Sequence, residues 1–290
     1  MPKKKTPDKI FKEKIAFLLS SERDTEKAVI AHQKKLFEIL VSEYLPLFEL
    51  EDGIIANTKA NDLLISQIDK YFDRLEKALH RDVLGPFAKS LLESASISKE
   101  YYVALGFKKK IVNGLLRDKV RVESTLGITS SGKLRKNGYL FRLGKTEQVR
   151  QQLRDFVLNS ITGDVSFLDF QLGFRNLVLG NKRVKGLNTD GSLQRYFDQF
   201  AYDSFNNVDA LVNKQLATNL NLKHFIYEGS TIKTSRKFCI KRAGKAFRVS
   251  DTKKWKNDPD LIEKRTKESY KPLIERGRYR CRHFIKYITE

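Results

Sequence analysis

The chain has 290 residues, 40% of them apolar, with a formal net charge of +21 and two cysteines. So few cysteines exclude a disulfide-stapled scaffold and agree with a reducing compartment. No apolar run approaches the ~18–20 residues that cross a bilayer, so no membrane span is expected.

The N-terminus, Met-Pro-Lys-Lys-Lys, is basic and leads into an amphipathic helix without the apolar core of a signal peptide, so synthesis in a cytoplasm is expected. Ser21-x-x-Asp24 reads as a capping box. After it, Val29, Leu36, Phe37, Leu40, Val41 and Tyr44 recur at helical spacing until Pro46 interrupts the pattern. A stronger stripe of Leu64, Ile68, Tyr71, Phe72, Leu75, Ala78 and Leu79 predicts a second helix, and Gly85–Pro86 marks a break. Such stripes can pack on each other as an antiparallel bundle or dock on another subunit. Helical periodicity then runs from Ile97 to Val122, across the cluster Lys108, Lys109 and Lys110.

Asn137–Gly138 stands between Lys133–Lys136 and Tyr139–Arg142. Asn-Gly between short segments is the signal of a type I′ turn, because both central residues need a positive φ. A basic hairpin or loop over 127–145, carrying Lys133, Arg135, Lys136 and Arg142, is expected there. Helices resume at Thr146–Ile161, with Val149, Leu153, Phe156 and Val157 on one face, and end at Thr162–Gly163. Another helix is expected over Ser166–Leu179. The longest regular segment is Leu193–Leu220, with Leu193, Phe197, Phe200, Ser204, Val208, Leu211 and Gln215 on one face. Phe225–Tyr227 reads as a strand. Thr234 is positioned to cap a short helix over Cys239 to Arg242, with Gly244 as its C′ residue. Ser250 caps a further turn, Asp258–Pro259 breaks it, and Phe284–Ile288 alternates like a closing strand. The expected fold class is α+β, predominantly α: helical regions over 1–126 and 146–222, and a small mixed α+β domain over 223–290.

The charge is placed as unevenly as the elements. Residues 103–150 hold 12 Lys/Arg against 3 Asp/Glu, residues 233–290 hold 19 against 7, and the other 184 residues balance at 25 of each. Positive charge so concentrated suits a polyanion, bound without sequence preference and with steep salt dependence. Trp255, Phe247, Tyr270, Tyr279 and Tyr287 lie among these basic residues, as base-stacking groups or as core.

Three residues have the chemistry of a metal site: Cys239, Cys281 and His283. Zinc takes four ligands, usually thiolates and imidazoles. Three are offered, and His224 or an acidic residue would have to be the fourth. A Cys239–Cys281 disulfide and a pair of packed thiols beside a hydrogen-bonded His are the alternatives. A cysteine nucleophile would need a base in reach and a group orienting it, and no oxyanion-hole or glycine-rich nucleophile turn accompanies the trio. Gly127-x₄-Gly132-Lys133 has a phosphate loop's outline only, since Leu134 occupies the magnesium-binding Ser/Thr position.

In order along the chain stand an aromatic strand ending at Gly229, Ser235–Arg236, Phe238–Cys239, Gly244–Lys245, Phe247, Trp255 and the closing Cys281–Arg282–His283. This succession resembles the C-terminal domain of the Mu F-like minor head proteins of tailed bacteriophages, the phage head morphogenesis family. The likeness extends more weakly upstream through Thr162–Val165 and Arg195–Phe205. The resemblance implies a non-enzymatic virion component, present in few copies at the portal vertex or capsid interior, with portal or capsid proteins and packaged double-stranded DNA as its partners. The rival reading is an effector enzyme of nuclease or transferase type, carried in the virion.

Overall fold

The computed structural model describes residues 5–115, 123–124, 126–181, 189–261, 269–278 and 281–289. The fold is α+β and predominantly helical, with two two-stranded ribbons and one three-stranded sheet among the described residues. Two compact units form, neither following the linear order of the chain. One takes 1–22, 89–123 and 202–290; the other takes 23–88 and 124–201. The cut crosses the expected division into 1–126, 127–145, 146–222 and 223–290 because three long helices contribute residues to both units.

In the second unit, helix α1 (Pro7–Ile39) delivers Val29 and Leu36 to the interior. It begins well before Ser21, so Ser21-x-x-Asp24 is helix interior instead of a cap. Ile10, Phe11 and Leu18 bury on the preceding turns, and that burial carries the helix through the polar pair. A π turn at Leu40–Tyr44 and a 3₁₀ turn at Leu45–Leu47, with Pro46 in its first turn, end it. Strands β1 (Leu50–Glu51) and β2 (Ile54–Ile55) pair around Asp52 and Gly53, whose φ values of 51° and 79° are those of a type I′ turn. Helix α2 (Lys59–Leu79) buries the expected stripe, Leu64, Ile68, Tyr71, Phe72, Leu75 and Leu79, and Thr58 caps it through Asn61 N. After a π turn at His80–Leu84, α3 (Gly85–Ala104) starts directly at Gly85, since Pro86 in a first turn surrenders no intrahelical bond.

No hairpin forms at Asn137–Gly138. Asn137 does take a positive φ of 64°, but Gly138 sits at φ −66°, ψ 166° and precedes a helix, α5 (Tyr139–Gly144). The reversal lies earlier, where an antiparallel bridge joins Ile128 to Leu134 around Gly132 (φ 79°). Gly138 is instead glycine for space: a Cβ there would lie 2.7 Å from the Gly127 Cα. Helices α6 (Glu147–Thr162) and α7 (Phe167–Leu179) follow, and Ser166 caps α7. Phe170 joins Phe48, Phe156 and Phe174 in a ring cluster with centroids 5.0–5.8 Å from Phe170. Arg150, buried on α6, bonds Asp73 at 2.9 Å and Glu76 at 3.3 Å on α2 and lies over the Phe72 ring.

The first unit contains the end of α3, then α4 (Lys109–Leu115), separated by Gly106 at φ 102°; the remainder of the expected helix to Val122 lies outside the described residues. The second half of α8 (Ser192–Asn219) also belongs here. Its buried residues include Phe205, Val208, Val212 and Leu216, while Leu211 is 41% exposed. In this half the buried face lies about one residue on from the expected one, at Phe205, Val212 and Leu216 instead of Ser204, Leu211 and Gln215. The Phe200 side chain falls outside the description. Lys14, fully buried on α1, pairs with Asp209 at 3.2 Å, and Ser94 donates to the same carboxylate. The three-stranded sheet, order β6-β5-β7, consists of β5 (His224–Glu228), β6 (Ala246–Arg248) and β7 (Phe284–Ile288), all antiparallel. Tyr101 ties it to α3 by donating to Tyr287 O.

Candidate metal centre

On β5, Phe225 and Tyr227 are buried on one face, while His224, Ile226 and Glu228 point to the other. Trp255 sits at the middle of the buried face, in a 3₁₀ stretch at Val249–Asn257. Its ring lies 5.4–5.9 Å from Phe225, Tyr227, Phe238 and Phe247, all edge-on. It is 4% exposed and therefore core, whereas Phe247 is half-buried. Tyr270 and Tyr287 are buried as well, and Tyr279 lies outside the described residues.

Two segments bring the sulfurs together beside Tyr227. Helix α9 (Lys237–Ile240) carries Cys239, and Arg236, not Thr234, stands at its N-cap. The stretch leading into β7 carries Cys281 and His283; the pair therefore precedes the strand and is not on it. The Arg236 guanidinium donates to Gly277 O at 2.8 Å, tying the two segments, as an ordinary carbonyl-bonding arginine does. Cys239 Sγ is 3.8 Å from Cys281 Sγ, and Cys281 Sγ is 3.9 Å from His283 Nδ1. The Tyr227 hydroxyl lies 3.5 and 3.4 Å from the two sulfurs, and its ring stacks on His283. All three candidate ligands are buried, and both cysteines are free thiols.

Glycines make this approach sterically feasible. A Cβ on Gly277 would fall 2.4 Å from Cys239 Sγ and 3.2 Å from Cys281 Sγ. A Cβ on Gly229 (φ 144°) would fall 2.9 Å from the His283 ring. On another side a cavity of about 300 Å³ opens beside the three donors, with Ser235, Arg236 and Arg282 in its walls.

The electrostatics favour one thiolate. Cys281 is held well below the usual thiol range, chiefly by the hydrogen bond from the Cys239 thiol, aided by His283 and the Arg276 cation against the cost of burial. Cys239 is pushed up, because its proton is engaged in that bond and burial disfavours a second charge. Burial likewise raises Tyr227, which stays a phenol able to donate to sulfur. His283 Nε2 is buried with no hydrogen-bond partner, so the ring's bonding capacity is unfilled within the protein.

Two soft sulfurs and an imidazole, with their donor atoms all within 4.8 Å of one another, can hold a metal ion. No carboxylate belongs to the group among the described residues, and His224 lies on the opposite face of β5, so the expected fourth ligand is not supplied. Gly277, Tyr227 and Arg276 complete the site and were not expected in it. A glycine between two arginines, Arg276-Gly277-Arg278, was the one available signal.

The other expected residues fall elsewhere. Ser235 is half-buried, its hydroxyl accepting from Ile232 N at 2.8 Å, whereas Gly244 (φ 73°), Lys245 and Arg282 are exposed. Lys133, Arg135, Lys136 and Arg142 are exposed in one unit, and Lys108, Lys109 and Lys110 are exposed in the other; none makes an ion pair among the described residues. No protein-family model, curated protein or solved structure matches the chain.

Proposed function

We propose that the chain is a structural minor head protein of a tailed bacteriophage, placed at the portal vertex or capsid interior of the virion. There it acts in head morphogenesis and contacts packaged DNA without reading its sequence. The observation carrying this reading is the convergence of the phage-like pattern. Phe238, Cys239, Trp255, Cys281 and His283, scattered along the sequence, meet in one sheet-centred core, and Gly229 and Gly277 admit the close approaches that core needs. Exposed lysines and arginines that make no ion pair among the described residues support contact with phosphates. No helix among the described residues is long and apolar enough to cross a membrane.

Zinc is the metal that suits the site. A tetrahedral zinc with Zn–S near 2.3 Å sets two sulfurs about 3.8 Å apart, and a sulfur and an imidazole nitrogen about 3.6 Å apart. Two of the three donor pairs stand at 3.8 and 3.9 Å, and all three atoms lie within 4.8 Å of one another. Bound there, zinc would close the loop between α9 and β7. Mass spectrometry of purified virions tests the placement: the protein is expected far below the major capsid protein in copy number. Absence from particles, or equal stoichiometry, refutes it. Metal analysis of the purified chain is expected to find one zinc per chain, and a metal-free chain refutes that part.

A further inference from the structure

We infer that a zinc ion on Cys239, Cys281 and His283 keeps its fourth coordination position open to an exchangeable phosphate oxygen that enters through the adjoining cavity. The inference rests on the zinc reading of this site. Three protein donors leave a tetrahedral ion one position short, and an open position is the mark of exchange sites as opposed to closed structural ones. Gly277 backs directly onto both sulfurs, and Tyr227 touches both, so those sides are filled by protein. The cavity of about 300 Å³ reaches all three donors from another side and has room for a phosphate group.

The wall chemistry selects the ligand. Two thiolates neutralise Zn²⁺, so the ion itself offers an anion little net attraction. Arg282 lines the same cavity and offers a forked donor that matches phosphate oxygens, and Arg236, whose guanidinium donates to Gly277 O, adds its positive charge to the wall. Arg282 is exposed and makes no ion pair among the described residues, so its guanidinium is available. Ser235 adds a hydroxyl to the wall.

The test uses the full-length chain with Co²⁺ in phosphate-free buffer. Sulfur-to-cobalt charge-transfer absorption is expected on adding the metal, and the ligand-field bands are expected to shift on titration with inorganic phosphate. A 5′-phosphorylated oligonucleotide producing the same shift, where its unphosphorylated form does not, would identify a nucleic-acid end as the source; a shift with inorganic phosphate alone would identify a free phosphate. Arg282→Gln should keep the charge-transfer band and raise the phosphate concentration for half-shift about tenfold, the loss of one charge-assisted hydrogen bond. No charge-transfer band would overturn the zinc reading and this inference with it. A full charge-transfer band whose ligand-field bands ignore phosphate would leave zinc standing and overturn the exchangeable position. An unchanged midpoint in Arg282→Gln would overturn the cavity as the route.

Discussion

Gly277→Ala separates two opposed effects of a single methyl group. Gly277 has no positive φ, so alanine suits its backbone, and on chain entropy alone the substitution should stabilise by about 0.4–1 kcal/mol. The space says otherwise. The new Cβ would fall 2.4 Å from Cys239 Sγ, and ordinary contact is near ~3.5 Å, so the sulfur must retreat by about 1 Å. Cys239 has one side-chain torsion and is enclosed, with Phe238 and Trp255 packed edge-to-face beside it. Overpacking of this kind costs about 1–3 kcal/mol and outweighs the entropic gain. The expected result is a net loss of roughly 1–2 kcal/mol, a fall in Tm of several degrees. Trp255 is the chain's only tryptophan and lies 5.6 Å from Phe238, so its fluorescence reports unfolding of this unit. Zinc content should fall too, since the displaced sulfur is a ligand. A variant with unchanged Tm and full zinc would refute the close packing of Gly277 on the thiols.

Arg150→Met should destabilise the unit containing α2 and α6 by about 1–3 kcal/mol, because Asp69, Asp73 and Glu76 lose their shared cation while partly screened by solvent; urea unfolding that matches wild type would contradict this. Replacing Lys133, Arg135, Lys136 and Arg142 together by glutamine should weaken duplex DNA binding alike for all sequences. It should also flatten the log–log salt dependence by up to about 3–4 units, and an unchanged slope would exclude these residues from the contact. Burial holds His32 below its ordinary value of 6.5, with Lys35 and Arg81 adding to the effect and Asp82 opposing it. The unfolded chain therefore takes up the proton first as pH falls, so stability present above about 6.5 is lost below it. Wild type should lose more Tm between pH 7.5 and 5.5 than His32→Gln, and parallel losses would refute the assignment.

The elements with strong periodicity were legible from composition and order alone. The stripe from Leu64 to Leu79 buries except at Ala78, the segments at Phe225–Tyr227 and Phe284–Ile288 are strands, and Ser166 caps its helix, because each of these depends on residues close together in the chain. The donor trio was legible as chemistry, since Cys and His are the soft ligands and few are present. Its geometry was not. Gly277 and Tyr227 matter only because α9 and the segment before β7 are folded against β5, and nothing local marks that approach. Two of the chain's Asx–Gly pairs show where the boundary falls. Asp52–Gly53 makes the type I′ turn that such a pair favours, for the flanking strands are free to close on each other. Asn137–Gly138 has the same local preference, yet Gly138 is pressed against the Gly127 backbone and its φ is negative. A turn preference amounts to about a kilocalorie, and a close backbone contact that admits no Cβ overrides it; that contact exists only once residues far apart in the chain have been packed.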